Sequence, residues 1–170
     1  PIIQKGQIDE IIKSLTNPVE MAMLMKDVGA SFSKDYLCPT DDINEYDTDF
    51  KKSIGLGLLT ADLGYLNIYE ETGTIVNYIT VIKRLSDDLN VGQFFDFNTL
   101  KQLAVNNDNL DSLMFLSINS FNRMDDHLRK HGRSNLSSLV ITGVWVEGLF
   151  LATQIMKESP NKDVGERIGE

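Results

Sequence analysis

Apolar residues recur along most of the chain with the three- and four-residue spacing of amphipathic helices. This pattern predicts helices at residues 8–15, 17–28, 48–71 and 73–90, a short one at 99–105, and two long ones at about 110–131 and 135–157. Gly29, Gly92 and Gly132 each follow a predicted helix, where glycine adopts the left-handed conformation that ends it. The chain is therefore expected to be a series of helices with short connections.

The predicted helix starts carry capping residues. Asn17 precedes Pro18 at a first helical position, with Glu20 three residues after the cap, which is the arrangement of a reciprocal capping box. Asn98 and Ser134 are expected to cap two of the later helices. The exception is residues 30–46, where Pro39 and several acidic residues predict a loop. A connection of this length within a compact domain is often functional.

Strand patterns are weak by comparison. The valine- and isoleucine-rich run at 139–146 is the only rival to helix, and it lies inside a capped apolar pattern of helical length. The sequence thus predicts an all-α fold, a bundle of antiparallel helices arranged as consecutive αα-hairpins. A short α-solenoid is the alternative, although no exact repeat is present.

Length and termini bear on the domain organisation. The 170 residues predict a single helical domain, 1–170, large enough for one core. Residues 162–170 have a helical pattern without a stop signal, so we expect the natural protein to continue beyond residue 170. Because the chain starts at Pro1 rather than at methionine, we also expect that a segment was removed upstream.

Charge and composition exclude several classes of partner. The net charge of −9 repels phosphate backbones, so we expect no nucleic-acid partner. The most apolar run, at 139–153, is short for a membrane span and contains Glu147, so no transmembrane segment is predicted. Cys38 is the only cysteine and has no neighbouring cysteine or histidine at metal-ligand spacing. We therefore interpret it as a plain structural or semi-exposed thiol.

Two acidic residues stand out because they lie within apolar helix faces. Asp62 has Leu58 and Leu59 one turn before it, and Glu147 has Phe150 and Leu151 one turn after it. A buried carboxylate without a partner is unfavourable, so each acid is expected to show a raised pKa or to find a partner. Nearby glycines, at 55, 57 and 64 and at 143 and 148, indicate close helix packing or room for a ligand.

The pair supports two interpretations. In one, Asp62 and Glu147 meet in an interhelical pocket, where they act as acid and base or hold a cation. In the other, each accepts hydrogen bonds from aromatic side chains of a packed core. The candidate donors are Tyr65, Tyr69, Tyr78 and Trp145, and Tyr65, Tyr69 and Trp145 are also expected to line a ligand site beside the two acids.

A second candidate site is the histidine pair. His127 and His131 are four residues apart on one predicted helix, so both rings could reach one metal ion. The chain has no other histidine to complete a zinc signature, and surface residues near a helix end are the alternative. The acidic residues at 41–49 lack the glycine and the final glutamate of a calcium-binding EF-hand. We expect no cofactor.

Four stretches together resemble a known group of proteins: LGLLTADLGYLNIYE, GQFFDFNTLKQLA, NLDSLMFLSINSFNRM and RSNLSSLVITGVWVEGLFLATQ. They are similar to an uncharacterised all-helical lipoprotein family of Bacteroides-type bacteria. The resemblance implies an exported protein with a lipid tether upstream of Pro1, in the periplasm or at the outer membrane. It implies no catalytic residues. A cytoplasmic location is the alternative.

We therefore expect a non-enzymatic helical binding or interaction module with an unknown protein or small-molecule partner. The alternative function is an enzyme or a cation-binding protein that uses Asp62 and Glu147.

Overall fold

The computed structural model describes residues 29–41, 43–106 and 110–158. Across these ranges the chain forms five α-helices and three short 3₁₀ turns, and contains no strand, which confirms the all-α prediction. The helices are α1 (Asp49–Ile68), α2 (Thr72–Asp88), α3 (Phe97–Asn106), α4 (Leu110–Lys130) and α5 (Ser134–Glu158). The helices predicted at 8–15 and 17–28, and the segment 162–170, lie outside the described residues.

The first hairpin consists of α1 and α2. Thr48 caps α1, because its side-chain oxygen accepts a hydrogen bond of 3.2 Å from the backbone N–H of Lys51. The chain reverses at Glu70, which has a positive φ of 61°, and α2 begins two residues later. Gly73 was predicted as the break between the helices, but it lies in the first turn of α2.

The later helices also follow the predicted order. The start of α3 differs in its cap: Asp96, rather than Asn98, accepts from the backbone N–H of Thr99 at 3.1 Å. Gly132, with φ of 71°, separates α4 from α5. The valine- and isoleucine-rich run at 139–146 lies within α5, as the length of the apolar pattern predicted.

The most extensive helix contact joins α1 to α5, which run parallel because their contacts follow the same order along both helices. At the start of both helices, Arg133 bonds Asp49; farther along, Gly57 lies against Gly143. Near the ends, Ile68 packs in one cluster with Ile155. The first and last described helices thus lie side by side along their length.

The main core lies between α1 and α2 and extends to α4 and α5. Its most deeply buried members are Leu56, Leu59, Leu66, Ile75, Leu85, Val91, Ala104, Met124 and Leu128. The segment at 29–48, which we call the N-terminal loop, packs partly buried apolar side chains against this core: Phe32, Leu37, Cys38, Ile43 and Tyr46. The loop therefore covers one side of the bundle.

Helix α5 is the most apolar of the five. Residues Ser134–Lys157 have a window of mean hydropathy 1.6, so by length and composition alone this helix could cross a membrane. A core helix of a water-soluble protein meets the same criterion, and α5 packs against α1 with Glu147 buried near its middle. The absence of a transmembrane segment stays a prediction.

Candidate functional site

Helices α1 and α5 bring Asp62 and Glu147 together. Both side chains are buried, with exposed fractions of 0% and 6%. An oxygen of each carboxyl lies within 4.8 Å of the other and of the Cys38 sulfur. The structure therefore places side by side two acids that are 85 positions apart in the sequence.

Two glycines explain how the helices approach closely enough. A Cβ atom on Gly57 would overlap the backbone of α5, including Gly143 Cα at 2.9 Å, and one on Gly143 would meet Leu58 N at 3.1 Å. Gly57 precedes Asp62 by five residues and Gly143 precedes Glu147 by four, so each contact lies about one turn before an acid. The glycines let the two backbones touch and thereby set the distance between the carboxyls.

The other glycines in these helices act differently. A Cβ on Gly64 or Gly148 would meet nothing within 4 Å, so neither position is needed for helix contact. Gly55 faces the ring of Tyr46, a side chain of the N-terminal loop. The predicted close approach of helices thus holds for Gly57 and Gly143.

Cys38 is the third member of the group. The backbone N–H of Cys38 donates to Oδ2 of Asp62 at 3.0 Å, and its thiol is 3.6 Å from Oε2 of Glu147. From the sequence we interpreted this residue as a plain structural or semi-exposed thiol, because no cysteine or histidine is near it along the chain. The residues near Cys38 along the chain are not its partners in the fold, because the N-terminal loop lies over α1 and α5. The only local signal at Cys38 is that it precedes Pro39 in a predicted loop, and this does not identify its partners.

Tyrosines anchor the N-terminal loop. The hydroxyl of Tyr78 donates to the carbonyl of Cys38 at 2.5 Å, and that of Tyr69 donates to the carbonyl of Ala30 at 3.1 Å. The hydroxyl of Tyr65 accepts from the backbone N–H of Ser33 at 3.0 Å. These tyrosines were predicted as partners for the two carboxyls; the hydrogen bonds described here instead hold the loop that carries Cys38.

Aromatic contacts strengthen this anchoring. The Phe32 ring stacks on that of Tyr65 with centroids 5.5 Å apart, and Tyr65 and Tyr69 are 4.8 Å apart. Side chains of α1 and α2 therefore fix the loop at Ala30, Ser33 and Cys38, which places the thiol beside the carboxyls.

The electrostatics of the group favour protonated carboxyls. Burial, followed by the proximity of Glu147, raises the pKa of Asp62 from 3.8 to about 8. Burial also raises the pKa of Glu147. The pKa of the Cys38 thiol is raised by burial and then by the two carboxyls. Without a cation, the group thus retains protons at neutral pH.

One oxygen of each carboxyl takes part in no hydrogen bond. Oδ1 of Asp62 and Oε1 of Glu147 are buried atoms with no hydrogen-bond partner. Among the salt bridges of the described residues, none involves either acid. A buried acceptor without a partner is rare in folded proteins and calls for an explanation. Two buried carboxyls that each keep an unpartnered oxygen, together with the neighbouring thiol, form a set of ligands suited to a metal ion.

The other predicted site residues lie elsewhere. Trp145 is 49% exposed and is two residues from Glu147, so the two side chains lie on nearly opposite sides of α5. His127 and His131 have ring centroids 4.1 Å apart, and Nδ1 of His131 is 2.7 Å from the His127 carbonyl oxygen. In the portion of the chain that the structure describes, neither histidine belongs to a group of three potential metal ligands.

Comparisons of the chain with protein-family models, with curated proteins and with solved structures find no significant match. The resemblance to the Bacteroides-type lipoproteins stays a prediction. A function is therefore inferred from the geometry of the site.

Proposed function

We propose that this protein binds a divalent cation between Asp62 and Glu147. The observation that carries the proposal is the pair of buried carboxyls, held within 4.8 Å, each with one oxygen that has no partner. Burying two acids side by side is unfavourable unless a proton or a cation offsets their charge. A divalent ion would satisfy both free oxygens at once.

The supporting structure is rigid. Each acid lies on the inner face of a long helix, and the backbone contact of Gly57 with Gly143 sets how closely the two helices approach. Oδ2 of Asp62 already accepts from Cys38, so its orientation is set by a neighbouring group, as is usual for metal-binding side chains. The site needs little rearrangement to accept an ion.

The test is thermal unfolding of chelator-treated protein with and without magnesium, calcium, manganese or zinc. An ion at one hundred times its dissociation constant stabilises the folded state by about 2.7 kcal/mol. In a chain of this length that is a rise in Tm of roughly 5–10 °C. The double variant Asp62→Asn, Glu147→Gln should lose the rise, and Asp35→Asn, an exposed loop acid, should keep it. An unchanged wild-type Tm with all four ions refutes the proposal.

An interaction module is the second candidate function, and a separate surface favours it. Six large apolar side chains are exposed on the last two helices: Phe115 and Ile118 of α4, and Trp145, Val146, Leu149 and Phe150 of α5. We call them the apolar face. Its α5 part, from residue 142 to 153, contains no charged residue except the buried Glu147. Exposed apolar patches of this kind mark interaction sites.

A second copy of the chain is the partner that this surface favours. An uncharged face can pair with itself without bringing like charges together, although the chain as a whole carries a net charge of −9. Trp145 is the only tryptophan, so its emission reports on the face directly. Dimerisation should shift that emission to the blue as concentration rises, and Phe150→Ser should weaken the association. A monomer with unchanged emission at every concentration contradicts this second proposal.

As part of this second proposal, the interaction module is exported and carries a lipid tether, as predicted from the resemblance. Metabolic labelling with a fatty acid, followed by cell fractionation of the full-length protein, tests both. A label-free protein in the cytoplasmic fraction contradicts them.

A further inference from the structure

Cys38 is the member of this group that the cation proposal does not require. Its backbone is held on both sides, by the acceptor Oδ2 of Asp62 at 3.0 Å and by the donor hydroxyl of Tyr78 at 2.5 Å. With the backbone fixed in this way, the thiol points to Glu147, 3.6 Å from Oε2. The half-buried sulfur thus belongs to the same group as the two acids.

The spacing within this group matches a metal centre. In a tetrahedral zinc site, with Zn–S of about 2.3 Å and Zn–O of about 2.0 Å, the sulfur and an oxygen ligand are about 3.5 Å apart. The Cys38 sulfur and Oε2 of Glu147 are 3.6 Å apart. All three ligand atoms lie within 4.8 Å of one another, so contraction around one ion requires only small side-chain movements.

An independent observation points to a missing ligand. The carboxyls of Asp62 and Glu147, exposed by 0% and 6%, each keep a buried oxygen without a hydrogen-bond partner. A lone thiol beside satisfied carboxyls would need no ion. Here one oxygen of each carboxyl and the Cys38 sulfur lie within 4.8 Å of one another, so the three groups surround the same small region.

We infer that Cys38, as a thiolate, is the third ligand of a zinc-class metal site completed by Asp62 and Glu147. The inference rests on the proposed cation-binding function and narrows it. Thiolate ligands suit zinc, cobalt and cadmium, whereas calcium and magnesium take oxygen ligands. Three protein ligands leave a fourth tetrahedral position for water or for a small ligand. The bound ion would also link the N-terminal loop to α1 and α5.

Charge is consistent with one dication. Two carboxylates and a thiolate carry three negative charges, so the loaded centre has a net charge of −1. Loading requires the thiol and the carboxyls to release their protons to solvent, and the metal ion replaces them. No oxidation or reduction takes place.

The decisive experiment uses cobalt(II), because a cobalt–thiolate bond gives a ligand-to-metal charge-transfer band in the near ultraviolet. Cys38 is the only cysteine, so such a band can arise from no other residue of the chain. Chelator-treated protein is titrated with cobalt and the bound cobalt is then displaced by zinc. We expect one equivalent of cobalt to produce the band in the wild type and zinc to abolish it.

The matched variant is Cys38→Ser, which keeps a similar shape without a thiolate. It should show no band and should bind zinc at least about tenfold more weakly. The wild-type spectrum is decisive even if this variant folds poorly. Ions that raise the Tm without any thiolate band would overturn the role of Cys38 and leave the proposed function intact. If no ion binds the wild type, both proposals fail.

Discussion

The thiol of Cys38 lies 3.6 Å from Oε2 of Glu147, although 109 positions separate the two residues in the sequence. This contact connects the N-terminal loop to the last helix of the bundle. The same cysteine is bonded through its backbone to Asp62 of α1 and Tyr78 of α2. The charge state of the two acids and the thiol and the position of the loop should therefore depend on each other. Substitutions at the acids change the charge, and substitutions at the tyrosines change the loop contacts.

The first prediction concerns the pH dependence of stability without metal. The pKa of Asp62 is raised from 3.8 to about 8 in the folded protein, so between these values the folded state holds a proton that the unfolded state has released. The contribution of Asp62 is complete at low pH and is lost as pH rises through about 8. The slope from this single proton is about 1.4 kcal/mol per pH unit.

Asp62→Asn should remove that slope while keeping an acceptor for the Cys38 N–H. We expect the variant to exceed the wild type in free energy of unfolding at pH 8 and to approach it near pH 4, as measured by urea denaturation. Taking the difference cancels exposed acids such as Asp47, whose pKa is lowered by Lys51. Parallel curves for the two proteins would show that Asp62 ionises normally.

The second prediction separates the two ends of the loop. Tyr78→Phe removes the hydrogen bond to Cys38, whereas Tyr69→Phe removes the one to Ala30. Each change should lower the free energy of unfolding by about 1–2 kcal/mol. Only Tyr78→Phe should weaken cation binding, because only that bond positions the ligand-bearing residue. Equal cation affinity in the two variants, measured by calorimetry, would contradict the proposed role of Tyr78.

The sequence was sufficient to predict much of the fold. Helical spacing and end signals are local, so the order of α1 to α5 could be predicted before any contact was known. Asp62 and Glu147 could be singled out for the same reason, since an acid within an apolar stripe is visible in one helix alone. The cap of α3 was missed by two residues because Asp96 and Asn98 are both good capping residues.

The composition of the site was less predictable. Cys38 lies in a loop, and its partners depend on how that loop crosses α1 and α5. The spacing of apolar residues along a helix does not indicate where a loop crosses it. Consecutive hairpins make α1 and α5 parallel, but their packing against each other was not predicted, although glycines 57 and 143 indicated close packing of each helix. Tyr65 and Tyr69 were recognised as hydrogen-bonding groups. Their partner is the backbone of the loop, which the pattern of a single helix cannot predict.

The third prediction follows from the protons held by the site. A cation must displace the proton of Asp62 at any pH below its pKa of about 8. The apparent binding constant should therefore rise with pH by about tenfold per unit for each proton displaced. The part due to Asp62 ends at about pH 8, and the part due to the Cys38 thiol continues above it. Titration calorimetry in two buffers of different ionisation enthalpy counts the protons released. Binding that is independent of pH and of buffer would place the ion elsewhere on the protein.

The last prediction tests whether the close contact of α1 and α5 sets the site. Gly57→Ala places a Cβ against the backbone of α5, near Val144 N at 2.8 Å, where no side chain can move aside. The helices must separate, and overpacking of this kind destabilises by about 1–3 kcal/mol. Gly143→Ala should behave similarly. Because the carboxyls then move apart, both variants should also bind the cation more weakly.

Each of these variants has a control on its own helix. A Cβ at Gly64 of α1 or at Gly148 of α5 meets nothing within 4 Å. Alanine there should stabilise by up to about 1 kcal/mol, because glycine is the poorer helix former. Gly148 is next to Glu147, so Gly148→Ala separates proximity to the site from contact between the helices. Urea denaturation and zinc titration of all four variants decide the matter. If Gly57→Ala matches Gly64→Ala in both measurements, the glycine contact does not hold the carboxyls together.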